Sequence, residues 1–202
     1  TEELAVKDGV TATDAGEMYT FNVTSGQVYE VIVEAKGVVA IKGKELGMPF
    51  SVEQWGDVAW KTMNHAFDGA TVSFSKHAGV PNMKGVEDCS FMFKGCKSFN
   101  SDLSAWDMSS VKDMSHMFDG CDIFNSPLNK WNVSLVKNMN SMFKGCKNFN
   151  QLLNSWAVAS VEDFGSMFED CEEYNKPMIG WVTTSARNMQ AMFKGCKKFN
   201  QP

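Results

Sequence analysis

The second half of the chain repeats itself every 25 residues. A cysteine, a phenylalanine three positions before it and an asparagine four positions after it recur five times, and a tryptophan follows each of the first four asparagines by six positions. The cysteines are Cys96, Cys121, Cys146, Cys171 and Cys196. A fixed period of this length is typical of repeat proteins, in which each copy buries its apolar face against its neighbours. The chain is therefore predicted to build a long surface from equivalent positions.

Two degenerate copies precede the clear ones. Val52 and Trp55 occupy the positions that Leu103 and Trp106 hold later, and a second degenerate copy begins near Ala78. The six copies start near Val52, Ala78, Leu103, Leu128, Leu153 and Met178. All six tryptophans then fall on core positions, which favours packing over a cofactor-binding or stacking role for them.

Within one copy, the first apolar pattern has helical spacing. Its apolar residues follow an i, i+3, i+6, i+7, i+10 stripe, which predicts a short helix. The stripe consists of Val111, Met114, Met117, Phe118 and Cys121. Glycines directly before the cysteines could end such a helix in a left-handed conformation, more weakly where Asp170 replaces glycine.

The other apolar pattern alternates, as a strand does. Trp106 and Met108 are predicted to point inward from a short strand that follows Leu103. A strand plus a short helix in each copy predicts an α/β solenoid over residues 51–202, a leucine-rich-repeat-like stack of short parallel strands and short helices. Pro202 stops one residue short of the next repeat start, so we expect an array truncated at its C-terminal end.

Residues 1–50 lack the repeat. Three strand-like runs, at 18–23, 27–35 and 38–42, are separated by glycine-containing turns. They predict a small β-rich N-terminal cap domain, which would cover the first repeat copy.

Composition and charge argue against several classes of protein. The net charge of −5 argues against nucleic-acid binding, which needs clustered Lys and Arg. No apolar stretch approaches the ~20 residues that a spanning helix needs. We therefore expect membrane attachment only through an anchor outside this fragment.

The six cysteines are predicted to be buried free thiols. Ala70 stands at the cysteine position of the earliest copy, and Cys89 stands where later copies have Met114 and Met139. Cysteine that exchanges with alanine and methionine behaves as a small core residue. Disulfides or a metal site stay open as alternatives, although no Cys-x-x-Cys pair or histidine-rich cluster supports zinc.

Two polar patterns share the 25-residue period. The recurring asparagine is predicted to lie buried in a turn and to satisfy backbone groups of neighbouring copies, with ligand binding as the alternative. The residues that follow each Phe and each Cys alternate in charge from copy to copy, which suggests two rows of opposite charges that fix repeat register. These rows are Lys94, Asp119, Lys144, Glu169 and Lys194, and Lys97, Asp122, Lys147, Glu172 and Lys197.

The repeats resemble those of a known family. The string from Met117 to Cys121, followed by Phe124-Asn125 and by Leu128-x-x-Trp131, is similar to the repeats of BspA-like surface proteins, which occur in bacterial lipoproteins. The resemblance covers about residues 51–202. It implies a secreted or surface-anchored, non-enzymatic and adhesive protein in an extracellular or cell-surface location.

Catalytic signatures are missing from the sequence. His65 and His116 occupy equivalent repeat positions, which indicates inheritance by repetition. No nucleophile motif, phosphate-binding loop or paired-carboxylate signature is present. We therefore expect that the protein is not an enzyme and that it binds no cofactor and no metal.

A binding face can be located by analogy with leucine-rich repeats, whose concave surface carries the strand residues beside the inward ones. The candidate ligand-binding residues are Asn82, Lys84, Asp107, Ser109, Lys130, Asn132, Ser134, Ser155, Ala157, Val182 and Thr184. This row is small and weakly charged. It predicts a protein or glycan ligand on a host or neighbouring cell surface.

The favoured function is a non-enzymatic cell-surface recognition or adhesion module. One alternative is a structural spacer that holds another domain away from the cell. The other is an intracellular repeat scaffold for protein–protein interaction, which the unpaired cysteines favour because secreted proteins rarely keep many free thiols.

Overall fold

Among the described residues, short parallel strands lie before and within the first repeat copy, between residues 38 and 74. A computed structural model of the chain describes residues 38–40, 49–52, 54–55 and 59–202. Its four strands are β1 (Val38–Ala40), β2 (Phe50–Val52), β3 (Ala59–Thr62) and β4 (Val72–Phe74). β1 pairs in parallel with β3, and β2 pairs in parallel with β4, which gives two separate two-stranded sheets.

The predicted α/β solenoid of short parallel strands and short helices is wrong. No described residue lies in a helix, and residues 75–202 form no strand. Single parallel bridges instead connect equivalent residues of consecutive copies: Asp88 with Asp113, Asp113 with Asn138, Asn138 with Asp163 and Asp163 with Asn188. The copies do lie on one another, but each copy is built from turns.

The backbone N–H groups explain why the predicted helix does not form. An α-helix needs each N–H group to donate to the carbonyl four residues back. Here alternate N–H groups leave the copy: Met114 donates to Asn138 and His116 to Asn140, at 2.9 and 2.8 Å. Phe118 donates likewise to Met142 at 2.9 Å, whereas the N–H of Met117, between His116 and Phe118, donates three residues back to Met114 at 3.2 Å, which closes a tight turn. Half of the donors that a helix would need therefore bind the next copy.

Two equivalent positions in every copy adopt the left-handed conformation that these turns require. In the third copy they are His116, with φ of 55°, and Gly120, with φ of 76°. A left-handed residue cannot continue a right-handed helix. The predicted left-handed glycines are therefore confirmed, and Asp170 adopts the same conformation with φ of 60°, but these residues shape turns and end no helix.

The predicted strand after Leu103 is also wrong, although its inward side chains are confirmed. Trp106 and Met108 are buried. The Trp106 N–H donates to the Leu103 carbonyl at 3.0 Å, and the Val111 N–H donates to the Met108 carbonyl at 3.1 Å. Because these N–H groups serve turns within one copy, they do not pair with a neighbouring copy as strand donors would.

Stacked aromatic rings fill the core between copies. Phe118 and Phe143 lie 5.6 Å apart between ring centroids at an interplanar angle of 2°, and Trp131 and Trp156 lie 6.4 Å apart at the same angle. The Trp156 indole N–H also donates to the Leu128 carbonyl of the preceding copy at 2.9 Å. Aromatic pairs contribute about 0.5–1.5 kcal/mol beyond their buried area. Each copy is thus held to the next by side chains as well as by backbone.

Part of the N-terminal prediction can be compared with the structure. β1 lies inside the predicted strand at 38–42, which is confirmed there. The predicted strands at 18–23 and 27–35, and most of the predicted cap domain, lie outside the described residues. Among the described residues there is no helix of the length and apolar character that crossing a membrane requires.

The left-handed positions generate a stability prediction. A Cβ on Gly145 would lie 3.6 Å from the Gly120 Cα, an ordinary contact, so the cost of Gly145→Ala is mainly that of its φ of 71°. We expect this substitution to lower the free energy of unfolding by about 1–2 kcal/mol, measured by urea denaturation. The matched control is Asp170→Gly, which restores glycine at an equivalent position and should cause no such loss. Equal losses in the two variants would contradict the conformational explanation.

Candidate recognition face

An amide ladder runs along the repeats, as the sequence predicts. The Asn125 N–H donates to the Asn100 Oδ1 at 2.8 Å, and the Asn150 N–H donates to the Asn125 Oδ1 at 2.9 Å. The same bond links Asn175 to Asn150 and Asn200 to Asn175. The predicted burial is wrong, because these asparagines are half-buried or exposed. Each amide oxygen from Asn100 to Asn175 is occupied by a neighbouring copy, which disfavours ligand binding by this row.

The cysteines are free thiols, as predicted, and five of the six are buried. The thiols of the repeat donate to phenylalanine carbonyls of the preceding copy, as Cys146 does to Phe118 at 3.0 Å. Burial raises the pKa of the Cys146 thiol well above its ordinary value. Because the thiolate is the reactive form, a thiol in this environment is chemically inert. Sequence analysis missed the donor role, although five cysteines at one repeat position were a signal for it.

Opposite charges of neighbouring copies meet, as the alternating pattern predicts. In the first row, Lys94 lies 3.8 Å from Asp119, and Glu169 contacts both Lys144 at 2.8 Å and Lys194 at 2.6 Å. The second row contains Asp122–Lys147 at 3.5 Å and Glu172–Lys197 at 2.7 Å. The geometric part of the hypothesis is confirmed for these pairs.

Other inter-copy ion pairs were not predicted from the sequence. They are Glu87–Lys112 at 2.6 Å, Glu162–Arg187 at 3.5 Å and Glu173–Lys198 at 2.5 Å.

Glu169 is the carboxylate of these rows that contacts two lysines, Lys144 and Lys194. Its residue is only 6% exposed, and hydrogen bonds from Lys144, Lys194 and Ser166 lower the pKa of its carboxyl from an ordinary 4.5 to about 2. The two lysines favour the ionised form of the Glu169 carboxyl in the folded state. This ionised carboxylate stabilises the folded state at pH values above the pKa that the carboxyl has in the unfolded chain.

The lowered pKa of Glu169 predicts an acid-dependent contribution to stability. Glu169→Gln should lower the free energy of unfolding at pH 7, and this loss should shrink as the pH falls from about 4.5 and disappear near about 2. Thermal unfolding of both proteins across this pH range measures it. Glu162→Gln is the control, because that carboxylate belongs to an exposed pair and such pairs contribute about 0–1 kcal/mol. A loss that stays constant from pH 7 to pH 2 would contradict the charge explanation.

The alternating rows generate a salt-dependent prediction. Replacing Asp119 and Asp122 by lysine places like charges beside Lys94 and Lys147, their partners in the rows. We expect a lower unfolding temperature at low ionic strength and partial recovery at 1 M salt, where screening acts within ~3 Å. The neutral variant Asp119→Asn with Asp122→Asn separates lost attraction from new repulsion. A salt-independent loss in the lysine variant would exclude an electrostatic role for these rows.

The predicted ligand-binding row lies on the surface, but it does not flank strands. Nine of its residues are exposed: Asn82, Lys84, Asp107, Lys130, Asn132, Ser155, Ala157, Val182 and Thr184. Ser109 and Ser134 are half-buried. A concave parallel-sheet face is absent there, since residues 75–202 contain no strand. We call this surface the lateral face, defined by the eleven candidate residues.

Several lateral-face residues shape the turns of their own copies. The side-chain oxygens of three residues accept the N–H two positions later, at 3.2, 3.0 and 3.1 Å. The pairs are Asn82 with Lys84, Asp107 with Ser109 and Asn132 with Ser134. Hydrogen bonds from Ser109 also lower the pKa of the Asp107 carboxyl. These asparagine and aspartate side chains therefore have a local structural role.

Four of the candidates come together in one place. Lys130, Asn132, Ser155 and Ala157 line an open depression of about 510 Å³. Asn129, Trp131 and Val133 complete its lining. Asn129 was not predicted, yet it joins two copies, because its Oδ1 accepts the Ser155 N–H at 3.1 Å. The other candidates lie outside this depression.

The histidines have structural partners. The ring of Phe91 is stacked between His65 and His116, with centroids 4.5 and 4.6 Å away. The Nδ1 atoms of His65 and His116 are hydrogen-bonded to Asp68 at 2.7 Å and to Asp119 at 2.9 Å. In the part of the chain that the structure describes, no group of three or more His, Cys, Asp or Glu side chains could hold a metal ion.

The described repeats define a class of protein: a helix-free stack of turn-rich copies with a polar lateral face. The chain matches one protein family, described as "Mycoplasma protein of unknown function, DUF285", over residues 61–164 and again over 128–202. The two matches together span more than half of the chain, and the chain belongs to this family. Both lie within the region whose repeats resemble those of BspA-like surface proteins. No curated protein and no solved structure matches the chain.

Proposed function

We propose that the protein is a non-enzymatic recognition or adhesion module of the BspA-like kind, exposed on the outside of a bacterial cell. Its ligand, a protein or a glycan, binds on the lateral face. The observation that carries the proposal is the depression that Lys130, Asn132, Ser155 and Ala157 share, because it gathers residues of two copies on the face chosen from the sequence.

The chemistry of the depression suits a polar ligand. Lys130 offers an ammonium group, Asn132 a side-chain amide and Ser155 a hydroxyl. Such groups bind the hydroxyls of a glycan or the backbone amides of a protein. Asn129, which bonds to Ser155 across the copy boundary, holds the two walls of the depression in a fixed relation.

The proposal is tested by a variant that fills and recharges the depression. Lys130→Glu, Asn132→Arg and Ala157→Arg change three exposed positions, and because Asn132→Arg also removes the turn hydrogen bond from the Ser134 N–H, the fold of the variant is checked directly. We expect the parent chain to bind intact cells, matrix proteins or glycans saturably, and the variant to lose at least tenfold in affinity. Circular dichroism and thermal unfolding confirm that the variant is folded.

The matched control makes the same changes of charge elsewhere. Lys76→Glu, Ser98→Arg and Asn148→Arg also lie at exposed positions and leave the depression intact. This control should bind as the parent does. Loss of binding in both variants would indicate a general electrostatic effect, and absence of binding by the parent would reject the adhesion proposal.

The spacer function keeps one specific observation in its favour. Backbone and cysteine hydrogen bonds join every pair of consecutive copies, and the asparagine ladder joins the copies from Asn100 onward. A continuous set of bonds gives a stiff rod, which is what a spacer needs. Protease accessibility on intact cells distinguishes both surface functions from the intracellular scaffold, which an external protease would not reach.

A further inference from the structure

The side-chain amides of the depression have their oxygens bound and their donors open. The Asn129 Oδ1 accepts the Ser155 N–H at 3.1 Å, and the Asn132 Oδ1 accepts the Ser134 N–H at 3.1 Å. Because a backbone N–H can only donate, these bonds fix each amide with its oxygen toward the backbone. Neither Nδ2 group has a partner among the described residues. Both asparagines therefore offer hydrogen-bond donors to a ligand.

The positive charge of Lys130 is not neutralised by neighbouring copies. Lysines of the charge rows meet acids 25 residues away, as Lys147 meets Asp122 at 3.5 Å. Lys130 makes no ion pair within the described residues, and its equivalents in the two adjacent copies are the uncharged Ala105 and Ser155. None of the residues that line the depression is acidic. The depression is therefore a cationic site.

This combination of groups occurs at one place along the repeats. Lys130 is the only basic residue at its repeat position, where the other copies have Gln54, Val80, Ala105, Ser155 and Gly180. The copies on either side also lack the second amide, because Asp107 and Ala157 stand at the position of Asn132. A cation next to two amide donors therefore distinguishes this depression from the rest of the lateral face.

We propose that the depression binds the carboxylate of an acidic sugar, held by the Lys130 ammonium and by the side-chain amides of Asn129 and Asn132. This inference rests on the proposed function, which places the ligand in the depression. A carboxylate only accepts hydrogen bonds, so it matches a site whose open groups are a cation and two amide donors. The Ser155 hydroxyl donates to the Asn129 carbonyl, which leaves its oxygen as an acceptor for a sugar hydroxyl.

A sugar suits this depression better than an acidic protein segment does. Binding between proteins depends most on large side chains that fill well-packed, desolvated pockets. Trp131 and Val133 line the depression, but they are only 2% and 1% exposed. The Trp131 ring is also stacked on Trp156. The depression therefore offers polar contacts to a hydroxylated ring and little apolar surface to a protein side chain.

The test compares acidic glycans with their own uncharged forms. The probes are oligogalacturonate, hyaluronan oligosaccharides and sialyllactose, each beside its carboxyl methyl ester, and a hexaglutamate peptide. We expect calorimetry to show that the parent chain binds at least one acid with at least tenfold lower Kd than its ester. The difference should narrow as salt screens the charge of Lys130. Equal binding of every acid and its ester, or tighter binding of hexaglutamate, would overturn the inference.

Asn132→Asp tests the amide donors without disturbing the turn. It exchanges the Nδ2 donor for a carboxylate oxygen and keeps an acceptor for the Ser134 N–H. Asp107 makes this bond in the preceding copy, to the Ser109 N–H at 3.0 Å, so the variant should fold. We expect at least tenfold weaker binding of the acidic glycan and unchanged binding of its ester. An unchanged affinity for the acid would contradict the assignment of the amides.

Lys130→Gln tests the charge, and Lys84→Gln is its matched control. Lys84 is another exposed lysine of the lateral face that makes no ion pair within the described residues. Lys130→Gln should lose at least tenfold in affinity for the acid and most of the salt dependence, whereas Lys84→Gln should keep both. Equal losses in the two variants would overturn the inference.

Failure of this inference differs from failure of the proposed function. Binding of neutral glycans or of proteins that the triple variant abolishes, without preference for a carboxylate, would keep the depression as the ligand site and reject the acidic sugar. Absence of all binding by the parent would reject both.

Discussion

The donation of alternate backbone N–H groups to the next copy is the interaction on which the rest of this structure depends. It fixes neighbouring copies in parallel and in register, so that each residue meets its equivalent 25 positions away. Once Phe118 lies over Phe93, the thiol of Cys121 reaches the Phe93 carbonyl and the asparagines reach one another. The aromatic, thiol, amide and charge rows therefore follow from one backbone arrangement. The same arrangement explains the left-handed residues, because the chain must turn twice within a few residues to present every second N–H group outward.

The repeat period, the copy boundaries and the buried side chains could be predicted from the sequence, but the secondary structure could not. Apolar residues three and four positions apart satisfy a helix, and they satisfy a series of three-residue turns equally well. Met114, Met117 and Cys121 are buried in both arrangements. What separates the two is the destination of the N–H groups, and this depends on a neighbouring copy that local spacing does not describe. His116 and Gly120 both have positive φ. A glycine in a sequence indicates that its position can require positive φ, but a histidine does not, so only half of this signal was readable.

The sequence predicted which residues of the candidate site are exposed, but not the contacts that shape the site. The alternation around Trp106 and Met108 correctly placed Asp107 outside, and its equivalents Asn132 and Ala157 with it. It could not show that Asn132 would cap its own turn, or that Asn129 would bridge to Ser155 and so shape a depression. Those contacts depend on the path of the turn between Leu128 and Trp131. The predicted strand would have an extended backbone there, so it could not indicate them. The family matches cover residues 61–202 and identify no ligand, so the ligand has to be found by experiment.

Charge alternation gives the stack a property that its core alone would lack. Neighbouring copies have nearly the same apolar residues, so a stack that omitted one copy could still pack its phenylalanines and tryptophans. The charges distinguish these arrangements, because omitting the copy of Glu169 would bring Lys144 against Lys194. Exposed ion pairs contribute little to stability, but like charges in contact oppose a wrong arrangement by a similar amount in each row. The two alternating rows of inter-copy pairs thus favour the order of copies that the apolar core tolerates but does not specify.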